Sequence, residues 1–482
     1  MSEHKSPIKF GTDGWRSLVA EDFTFPNVRI VTQSISAYLK KHPARGRPNR
    51  VLVGYDTRPL GDRFAEAVAE VLAGNGFEVL LTEGPMPTPA ISFSIRELKL
   101  CGGIAVTASH NPFTYNGIKF KPYYAGPSEP EMTQWIEADL LKEPVKRVPL
   151  QEALADGKIK KVDLAPKYLS FIRSYVDWPL LKRAKFKVAY DNMHGAGQAL
   201  LQRVLEGSRI DVIPANETPW PVKAAHRPEP VGEHLRHLGA VVRKNRCHVG
   251  LATDGDADRL GLVGPDGKFV SAQETMALLL WHLLEDRRWK GLVVTTISGT
   301  KLVDAMTAHY GVPLRRTPVG FKHIAAYMRT EDVLFGGEES GGFGFRGFVP
   351  ERDGLLAGLL ILEMLAMRKQ SLSAVLQQMR KKFGRWIFQR EDLALSRPVS
   401  KRELNAWAEK NAGNGFALSG GKVAQVKTED GVQIILEDQS WLLLRPSGTE
   451  PLLRIYSEAH SASRVKSLIA SGRKIGLQII SG

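Results

Sequence analysis

Cysteine is almost absent from this 482-residue sequence, which contains only Cys101 and Cys247. The two residues lie far apart and share no local pattern. So few thiols exclude a disulfide scaffold and a cysteine-rich zinc site. The remaining composition, with 43% hydrophobic and 24% charged residues, is that of a globular protein. We therefore expect a protein of the reducing cytoplasm.

Long hydrophobic runs are also missing. The longest, Leu355 to Met367, contains Glu363 and is too short to span a bilayer. The N-terminal residues, Met1 to Pro7, contain no apolar signal region. The sequence therefore predicts no association with a membrane.

Acidic residues are outnumbered, since 66 Lys and Arg against 51 Asp and Glu give a formal net charge of +15. Such an excess suits nucleic acid, an anionic membrane or a small phosphorylated substrate. The basic residues are dispersed, however. The densest run, Arg380 to Lys382 with Arg385, lacks the interleaved aromatic residues of a nucleic-acid interface. A solvated basic surface is the better interpretation, and a nucleic-acid-binding protein stays the weaker alternative.

Predicted helices alternate with short apolar strands until about residue 385, which is typical of α/β domains. After that point, three strand-like runs follow one another without a helix and predict an antiparallel sheet. The fold class is therefore α/β, with three consecutive α/β/α domains and a smaller α+β C-terminal domain. The expected boundaries are 1–150, 151–268, 269–385 and 386–482.

The stretch Thr107 to Pro112 follows the apolar run Gly103 to Val106, which predicts a buried strand ending in a turn. Pro112 favours extended backbone before it. Ser109 is therefore expected at a strand end, with His110 directed to the opposite side. A polar connection between a strand and a loop would explain the stretch equally well.

Three aspartates, Asp254, Asp256 and Asp258, follow a second apolar run. Alternate positions of an extended loop face the same side, and three carboxylates repel one another unless a cation lies between them. Oxygen ligands of this kind suit Mg²⁺. An EF-hand would need glycine and glutamate at its sixth and twelfth loop positions, where this sequence has arginine and proline. An acidic surface turn is the remaining alternative.

A Ser-His-Asp hydrolase is disfavoured. No Gly-x-Ser-x-Gly elbow surrounds Ser109. Ser340 lies in a similar context, but Glu338 stands two residues before it in place of the glycine. Neither serine therefore matches a nucleophile elbow.

Two later loops could bind a sugar phosphate. Gly336 to Gly342 contains Glu338 and Ser340, and carboxylates with hydroxyls suit neighbouring sugar hydroxyls. Arg445 to Pro451, with Arg454 on the next strand, supplies a guanidinium, hydroxyls and a glycine N–H, as a phosphate cradle requires. An ordinary turn is the alternative in each case.

In this order, the four stretches resemble the motifs of the α-D-phosphohexomutase family, one motif per domain. The opening Phe10 to Arg16 is similar to the family's first loop. The resemblance implies four domains around a central cleft and a Ser109 that carries phosphate. It also implies that Asp254, Asp256 and Asp258 bind Mg²⁺ together with the phosphoserine.

Other roles follow from the same resemblance. Four residues would surround the transferring phosphoryl group: Arg16, His110, Lys119 and Arg259. Lys119 is the candidate general acid/base among them. Sugar hydroxyls would bind Glu338 and Ser340. The non-reacting phosphate would bind Arg445, Ser447, Gly448, Thr449 and Arg454. Further substrate contacts would come from Gly320, Lys322 and Arg352.

The hexose is predicted from two runs. Phe321 after Gly320, and Glu339 between Glu338 and Ser340, are more similar to phosphoglucomutases than to the phosphomannomutase/phosphoglucomutase branch of the family. We therefore expect reversible conversion of glucose 1-phosphate to glucose 6-phosphate, with glucose 1,6-bisphosphate as intermediate and activator. A phosphomannomutase, a phosphoglucosamine mutase and a glucose-1,6-bisphosphate synthase are alternatives on the same scaffold. The expected partner is the hexose phosphate substrate, and the protein would be a monomer or a homodimer.

Overall fold

The computed structural model describes residues 8–11, 13–216, 218, 227–411, 417–447 and 451–481. Three α/β/α domains are followed by a C-terminal domain with an antiparallel sheet, which confirms the predicted fold class. Within those ranges, no helix combines the length and apolarity needed to cross a membrane.

The first domain contains a mixed sheet covered by helices. Its elements are β1 (Phe10–Gly11), β2 (Gly14–Leu18), α1 (Phe25–Lys41), β3 (Arg50–Tyr55), α2 (Gly61–Gly74), β4 (Glu78–Thr82), α3 (Thr88–Glu97), β5 (Gly102–Val106), β6 (Tyr115–Pro122), α4 (Pro130–Asp139), α5 (Leu150–Ala155) and β7 (Ile159–Val162). The strand order is β1-β2-β6-β5-β3-β4-β7. The sheet therefore continues past residue 150, where the sequence places the end of this domain.

The second domain has a smaller mixed sheet. Its elements are α6 (Ala165–Tyr175), α7 (Trp178–Arg183), β8 (Lys187–Asp191), α8 (Leu200–Val204), β9 (Asp211–Asn216), α9 (Arg236–Asn245), β10 (Val249–Thr253), β11 (Leu260–Val263) and β12 (Phe269–Val270). The strand order is β12-β11-β10-β8-β9. β8 runs parallel to β9 and β10, whereas β11 returns antiparallel to β10.

The third domain contains the most apolar helix of the chain. Its elements are α10 (Ala272–Trp281), a π-helical segment (His282–Asp286), β13 (Leu292–Thr296), α11 (Lys301–Tyr310), β14 (Leu314–Thr317), α12 (Phe321–Thr330), β15 (Val333–Gly337), β16 (Phe343–Phe345), α13 (Gly354–Arg368) and α14 (Leu372–Phe383). The strand order is β14-β13-β15-β16. The apolar run noted in the sequence is α13, which is buried along almost its whole length. Asp353 caps it by accepting a hydrogen bond from Leu356 N at 2.9 Å.

The C-terminal domain has an antiparallel sheet with helices packed on it. Its elements are β17 (Ile387–Ala394), α15 (Lys401–Asn411), β18 (Ala417–Leu418), β19 (Gly421–Lys427), β20 (Val432–Leu436), β21 (Trp441–Pro446), β22 (Leu452–Ala459) and α16 (Ala462–Ser481). The strand order is β17-β22-β21-β20-β19-β18. The sequence reading missed α15, a short helix with few buried residues.

Three loops leave parallel strands at their carboxyl ends, where open α/β sheets bind ligands. They contain Ser109 after β5, Asp254 after β10 and Glu338 after β15. The last two are joined directly, because Leu260 N donates a hydrogen bond to Gly341 O at 2.9 Å. The three sheets therefore present their ligand-binding edges to one cleft.

The C-terminal domain packs against the third domain through a small apolar cluster. Ile297 of the third domain lies with Trp441 and Tyr456 in this cluster. Gln433 Nε2 donates a hydrogen bond to Ile297 O at 2.9 Å. The C-terminal domain therefore has its own core and contacts the third domain through this cluster and several hydrogen bonds.

Candidate active site

Ser109 lies at the cleft, directly after β5, and its side chain contacts the aspartate loop of the second domain. Its Oγ donates a hydrogen bond to Asp254 Oδ2 at 3.0 Å. The backbone at Ser109 has φ of 52°, in the left-handed region. The prediction that His110 points away is therefore wrong: a left-handed residue breaks the alternation of an extended chain, and His110 Nδ1 lies 3.5 Å from Ser109 Oγ.

Arg58 holds the Ser109 loop in this conformation. Its guanidinium is buried beside Asp56, with Nε at 3.1 Å from Oδ2. The two terminal nitrogens donate hydrogen bonds, between 2.6 and 2.9 Å long, to backbone carbonyls of Ser109, Asn111, Pro112 and Tyr115. Thr107 Oγ1 donates to the same Asp56 carboxylate at 2.5 Å. One arginine therefore binds most of the carbonyl groups that the loop exposes.

The three aspartates meet as the sequence predicts, although the backbone is not extended. Carboxylate oxygens of Asp254, Asp256 and Asp258 lie within 4.8 Å of one another. They converge because the chain turns at Ala257, which has φ of 57°. At Gly255 a Cβ atom would lie only 2.4 Å from Ser109 O. Glycine at this position therefore allows the aspartate loop to approach Ser109 closely.

Burial and mutual repulsion make this cluster electrostatically unusual. Burial raises the pKa of Asp254 well above its ordinary value, and Asp258 and Asp256 raise it further. Burial acts in the same direction on Asp256, but Lys119 overrides it and lowers the pKa of Asp256. One oxygen of Asp256 and one of Asp258, Oδ1 in both, are buried and have no hydrogen-bond partner within the described part of the chain. Such oxygens are suitable ligands for a hard divalent cation.

Lys119 projects from β6 into the same cluster. Its Nζ lies 2.8 Å from Asp256 Oδ2, 3.5 Å from Asp258 Oδ2 and 2.7 Å from Asp13 Oδ2. Burial lowers the pKa of Lys119, but Asp13, Asp256 and Asp258 outweigh it and raise the pKa above its ordinary value. Lys119 is therefore a protonated donor here, and its predicted general acid/base role stays a prediction.

Arg352 connects the aspartate loop to the sugar loop. It donates hydrogen bonds to Asp258 Oδ2 and, at 3.1 Å, to Glu338 Oε2. Its Nη2 also lies 3.3 Å from Asp13 Oδ2. Burial raises the pKa of Glu338 to about 7, although Arg352 opposes the shift. The arginine predicted as a substrate contact therefore also bridges three loops of the cleft.

Three more of the predicted residues lie around Ser109. Arg16 Nη1 donates a hydrogen bond to Asn111 Oδ1 at 3.0 Å. Arg259 N donates to Asp254 Oδ1 at 3.1 Å, and its buried Nε has no hydrogen-bond partner among the described residues. Burial lowers the pKa of His110 well below its ordinary value, and Arg259 and Arg16 add to the effect. The cleft therefore combines cations with a neutral imidazole beside Ser109.

In the sugar loop, Gly336 to Gly342, one carboxylate is bound by hydroxyls of the third domain. Glu339 accepts hydrogen bonds from Thr296 Oγ1 at 3.0 Å and Ser298 Oγ at 2.6 Å. Both hydroxyls bind the same oxygen, Oε2 of Glu339. Glu338 and the half-buried Ser340 stay the residues of this loop that the sequence predicts to meet a sugar.

Gly320 and Lys322 lie at the start of α12. Gly320 has φ of 128° and precedes the first residue of the helix. Lys322 lines a small pocket with Asp13 and Gly11 of the first domain. Burial and then Arg445 lower the pKa of Lys322. Lys322 therefore lies between the first and C-terminal domains.

The C-terminal cradle brings two arginines together. Arg445 on β21 stands directly opposite Arg454 on β22, and like charges in this arrangement destabilise a sheet unless an anion lies between them. Arg445 Nε donates to Asp430 Oδ2 at 2.9 Å. Ser447 N donates to Leu452 O at 2.9 Å, which places Ser447 at the end of the same strand pair. Gly448 and Thr449 lie outside the described residues.

Models of one enzyme family match each of the four domains. They are the phosphoglucomutase/phosphomannomutase α/β/α domains I, II and III, over residues 7–146, 166–267 and 271–383, and the C-terminal domain of the same family, over residues 399–474. The chain belongs to the phosphoglucomutase/phosphomannomutase family. The resemblance to the α-D-phosphohexomutases noted in the sequence is thereby confirmed, and the protein is a phosphohexomutase.

Individual phosphohexomutases similar to this chain act on different sugars. A phosphoglucomutase/phosphomannomutase of Thermococcus kodakarensis is 31% identical over 98% of this chain and 99% of its own. A phosphoglucosamine/phosphogalactosamine mutase of Sulfurisphaera tokodaii is 29% identical over 97% and 98%. A crystal structure of a Thermus thermophilus protein, classed as a phosphomannomutase, is 34% identical over 98% and 99%, with a TM-score of 0.84. The names of these relatives leave the hexose of this phosphohexomutase open.

Sequence reasoning missed several residues that build the phosphohexomutase cleft. Arg58 follows β3, the strand beside β5, so its place after a parallel strand is a signal that could have been used. Asp13 was included only as part of the first loop. Thr88, which donates to Asp256 Oδ2 at 2.6 Å, begins a helix and gives no local signal. Asp430 reads as an ordinary turn residue before glycine.

Proposed function

We propose that this phosphohexomutase interconverts glucose 1-phosphate and glucose 6-phosphate, with Ser109 as the carrier of the phosphoryl group. The choice of glucose rests on Phe321 and Glu339, and the role of Ser109 is supported most by the 3.0 Å contact between Ser109 Oγ and Asp254 Oδ2. It joins a buried hydroxyl to a buried triad of carboxylates that is surrounded by cations.

The aspartate triad fits Mg²⁺ by the chemistry of its donors. Asp256 Oδ1 and Asp258 Oδ1, which are buried and have no hydrogen-bond partner among the described residues, offer hard ligands. Burial, and then Asp258 and Asp256, raise the pKa of Asp254, and a bound cation would offset the repulsion among the three carboxylates. Asp254, Asp256 and Asp258 would hold the ion together with the Ser109 phosphate. Bound there, Mg²⁺ supplies positive charge beside the transferring group.

The proposed transfer is mainly a matter of position and charge. A sugar hydroxyl attacks the phosphorus of phosphoserine 109, the bond from phosphorus to Oγ breaks, and Ser109 regains the proton that the sugar hydroxyl gives up. Arg16, Lys119 and Arg259 place positive charge around the transferred oxygens. Phosphoryl transfer depends largely on such positioning and electrostatic stabilisation.

The sugar must be held in two orientations, because the bisphosphate intermediate returns its other phosphate to Ser109. Glu338 and Ser340 would bind sugar hydroxyls. The paired Arg445 and Arg454 would hold whichever phosphate is not reacting, since a guanidinium pair with no anion between them is unfavourable. Closure of the C-terminal domain over the sugar would exclude water from phosphoserine 109.

The test compares sugars under identical conditions. Coupled assays would measure turnover of glucose, mannose and glucosamine 1-phosphates, each with and without added glucose 1,6-bisphosphate. We expect the highest kcat/KM with glucose 1-phosphate and stimulation by the bisphosphate. A higher kcat/KM with mannose or glucosamine phosphate would reassign the substrate, and net accumulation of bisphosphate would indicate a synthase.

Two further measurements test the chemistry. Ser109→Ala should abolish turnover, whereas Ser373→Ala, at an exposed serine of α14, should leave it unchanged. Removal of divalent cations should abolish turnover, and added Mg²⁺ should restore it. Normal turnover by Ser109→Ala, or by the metal-free protein, would contradict the proposal.

A further inference from the structure

A second cavity lies far from Ser109, where the second and third domains meet. This groove has a volume of about 770 Å³, within the range of small-molecule sites. Phe186, Cys247 and His248, at the amino ends of β8 and β10, form one side. The turn between α13 and α14 forms the other. Because the aspartate loop follows the carboxyl end of β10, the groove is at the opposite edge of the second sheet.

The rim of the groove is strongly basic. Four cationic side chains line it: Arg183, Lys185, Arg246 and Lys369. All four are exposed, and none of them forms an ion pair with any part of the chain that the structure describes. The described residues that line the groove include no carboxylate. Unpaired charges of one sign around a concave surface attract an anion.

The floor of the groove is apolar and partly aromatic. Leu365, Ala366 and Leu372 are buried side chains of α13 and α14 that face it. The ring of Phe186 meets the His248 ring edge to face, with centroids 5.6 Å apart. A flat ring could pack on such a floor with favourable geometry.

One polar atom in this wall lacks a partner. Gln370 Oε1 is buried and accepts no hydrogen bond within the described ranges. A buried acceptor left in this state is costly unless a ligand or water donates to it. A ligand with an N–H group on its ring would satisfy it.

We propose that this groove binds a purine nucleotide. The base lies on the floor of Phe186, Leu365 and Leu372, an N–H of the base donates to Gln370 Oε1, and the phosphate meets the four rim cations. The site is separate from the hexose phosphate cleft and does not depend on which sugar the enzyme uses.

Calorimetric titration of the full-length protein at low ionic strength tests the site with AMP, adenosine and inorganic phosphate. AMP should bind at least about tenfold more tightly than either adenosine or phosphate, because only AMP engages both rim and floor. Its affinity should fall as salt is added. No AMP binding at millimolar concentration, or equal affinity for adenosine, would overturn the proposal.

Charge reversal locates the binding. Arg246→Glu with Lys369→Glu should weaken AMP binding about tenfold or more, since two attractive contacts become repulsive. The matched control, Lys167→Glu with Lys410→Glu, changes two exposed lysines elsewhere and should leave the affinity unchanged. Equal loss in both pairs would reveal a general charge effect and overturn the proposal.

Two further variants separate the groove from other sites and from misfolding. Gln370→Leu should weaken AMP binding while leaving the binding of phosphate alone unchanged. Arg445→Ala with Arg454→Ala, in the C-terminal cradle, should leave AMP binding intact. If AMP binding disappears in that cradle variant, the nucleotide occupies the hexose phosphate site and the proposal fails.

Discussion

At the scale of single residues, the cleft depends on one buried arginine, Arg58, that donates to the backbone of the Ser109 loop. Ser109 adopts a left-handed backbone, which costs a residue other than glycine about 1–3 kcal/mol. The hydrogen bonds from Arg58 to four loop carbonyls stabilise that conformation. Ser109 is thus held towards Asp254 before any substrate arrives.

Asp353 gives the stability of the protein a distinctive pH dependence. Burial raises the pKa of its carboxyl to about 7, from an ordinary value of 3.8. The folded state therefore favours the protonated form. The stability that protonation contributes is fully present below about pH 4 and is lost as pH rises to about 7.

We predict that Asp353→Asn flattens this profile. Asparagine is neutral and can still cap α13 through Leu356 N and pair with the Tyr168 hydroxyl, which lies 2.9 Å from Asp353 Oδ2. Urea unfolding from pH 4 to pH 7 should show that the variant loses less free energy of unfolding than the unmodified protein. Parallel profiles for the two proteins would contradict the assignment.

Some residues of the cleft could be predicted from the sequence and others could not. Ser109 and the aspartates belong to short motifs next to strand ends, so their place at the cleft could be predicted. The left-handed turn at Ser109 could not, because Pro112 restrains only the residue before it. Arg58 was missed because its partners are mostly backbone carbonyls, which no sequence pattern displays.

At the scale of elements, the turn between β19 and β20 orients Arg445, one of the two arginines of the C-terminal cradle. Asp430 Oδ2 accepts hydrogen bonds from Arg445 Nε at 2.9 Å and from Val319 N of the third domain at 2.8 Å. The carboxylate occupies one edge of the guanidinium, so the other edge is left for an anion. The turn also ties the cradle to the loop that precedes Lys322.

Asp430→Asn should therefore impair capture of substrate more than chemistry. Loss of a charge-assisted hydrogen bond costs about 1.5–3 kcal/mol, so we expect KM for the hexose phosphate to rise about tenfold or more with a smaller change in kcat. Steady-state kinetics measure both. Asp438→Asn, in the next turn of the same sheet, is the control and should leave KM unchanged. An equal fall in kcat with constant KM would contradict this role.

Element positions were predicted better than their ends. The run Val432 to Leu436 matches β20, and the strand ending before Thr107 matches β5, because each is a short apolar run between turn residues. The helix α15 was missed because only Leu404 and Ala408 of its residues are buried, which gives almost no apolar periodicity. Asp430 was missed because its partners come from strand β21 and from a loop of the third domain.

At the scale of the whole molecule, a buried ion pair joins the first and third domains. Lys121 Nζ on β6 lies 2.5 Å from Glu351 Oε2, and both side chains are fully buried. Ser92 Oγ donates to the same oxygen at 3.4 Å. The pair therefore fixes the two domains on either side of the cleft.

Glu351→Gln should destabilise the protein by about 3–5 kcal/mol, because it removes the nearer carboxylate from the buried Lys121 charge and leaves only Asp13 Oδ1, at 3.6 Å. Chemical denaturation measures the loss. Glu351→Leu combined with Lys121→Met should recover part of it, since both charges are then removed. Glu78→Gln, which breaks the exposed pair with Arg50, should be close to neutral. A similar loss at Glu78 and Glu351 would contradict the role of burial.

The domain order and the common edge of the cleft could be predicted from the sequence, because each domain has its own strand and loop pattern. Contacts such as Lys121 to Glu351 could not. The two residues are 230 positions apart, and neither lies in a recognisable motif. The contacts that hold the domains together therefore become visible only when the domains are folded and packed against each other.

The separate core of the C-terminal domain, which meets the third domain at the cluster around Ile297 and Trp441, has a consequence for the proposed reaction. A hexose that presents carbon 1 to Ser109 and one that presents carbon 6 span unequal lengths between serine and cradle. A rigid cavity would suit one span and penalise the other. The proposed closure of the C-terminal domain would let Arg445 and Arg454 meet both spans, so the same few groups would serve the forward and reverse directions.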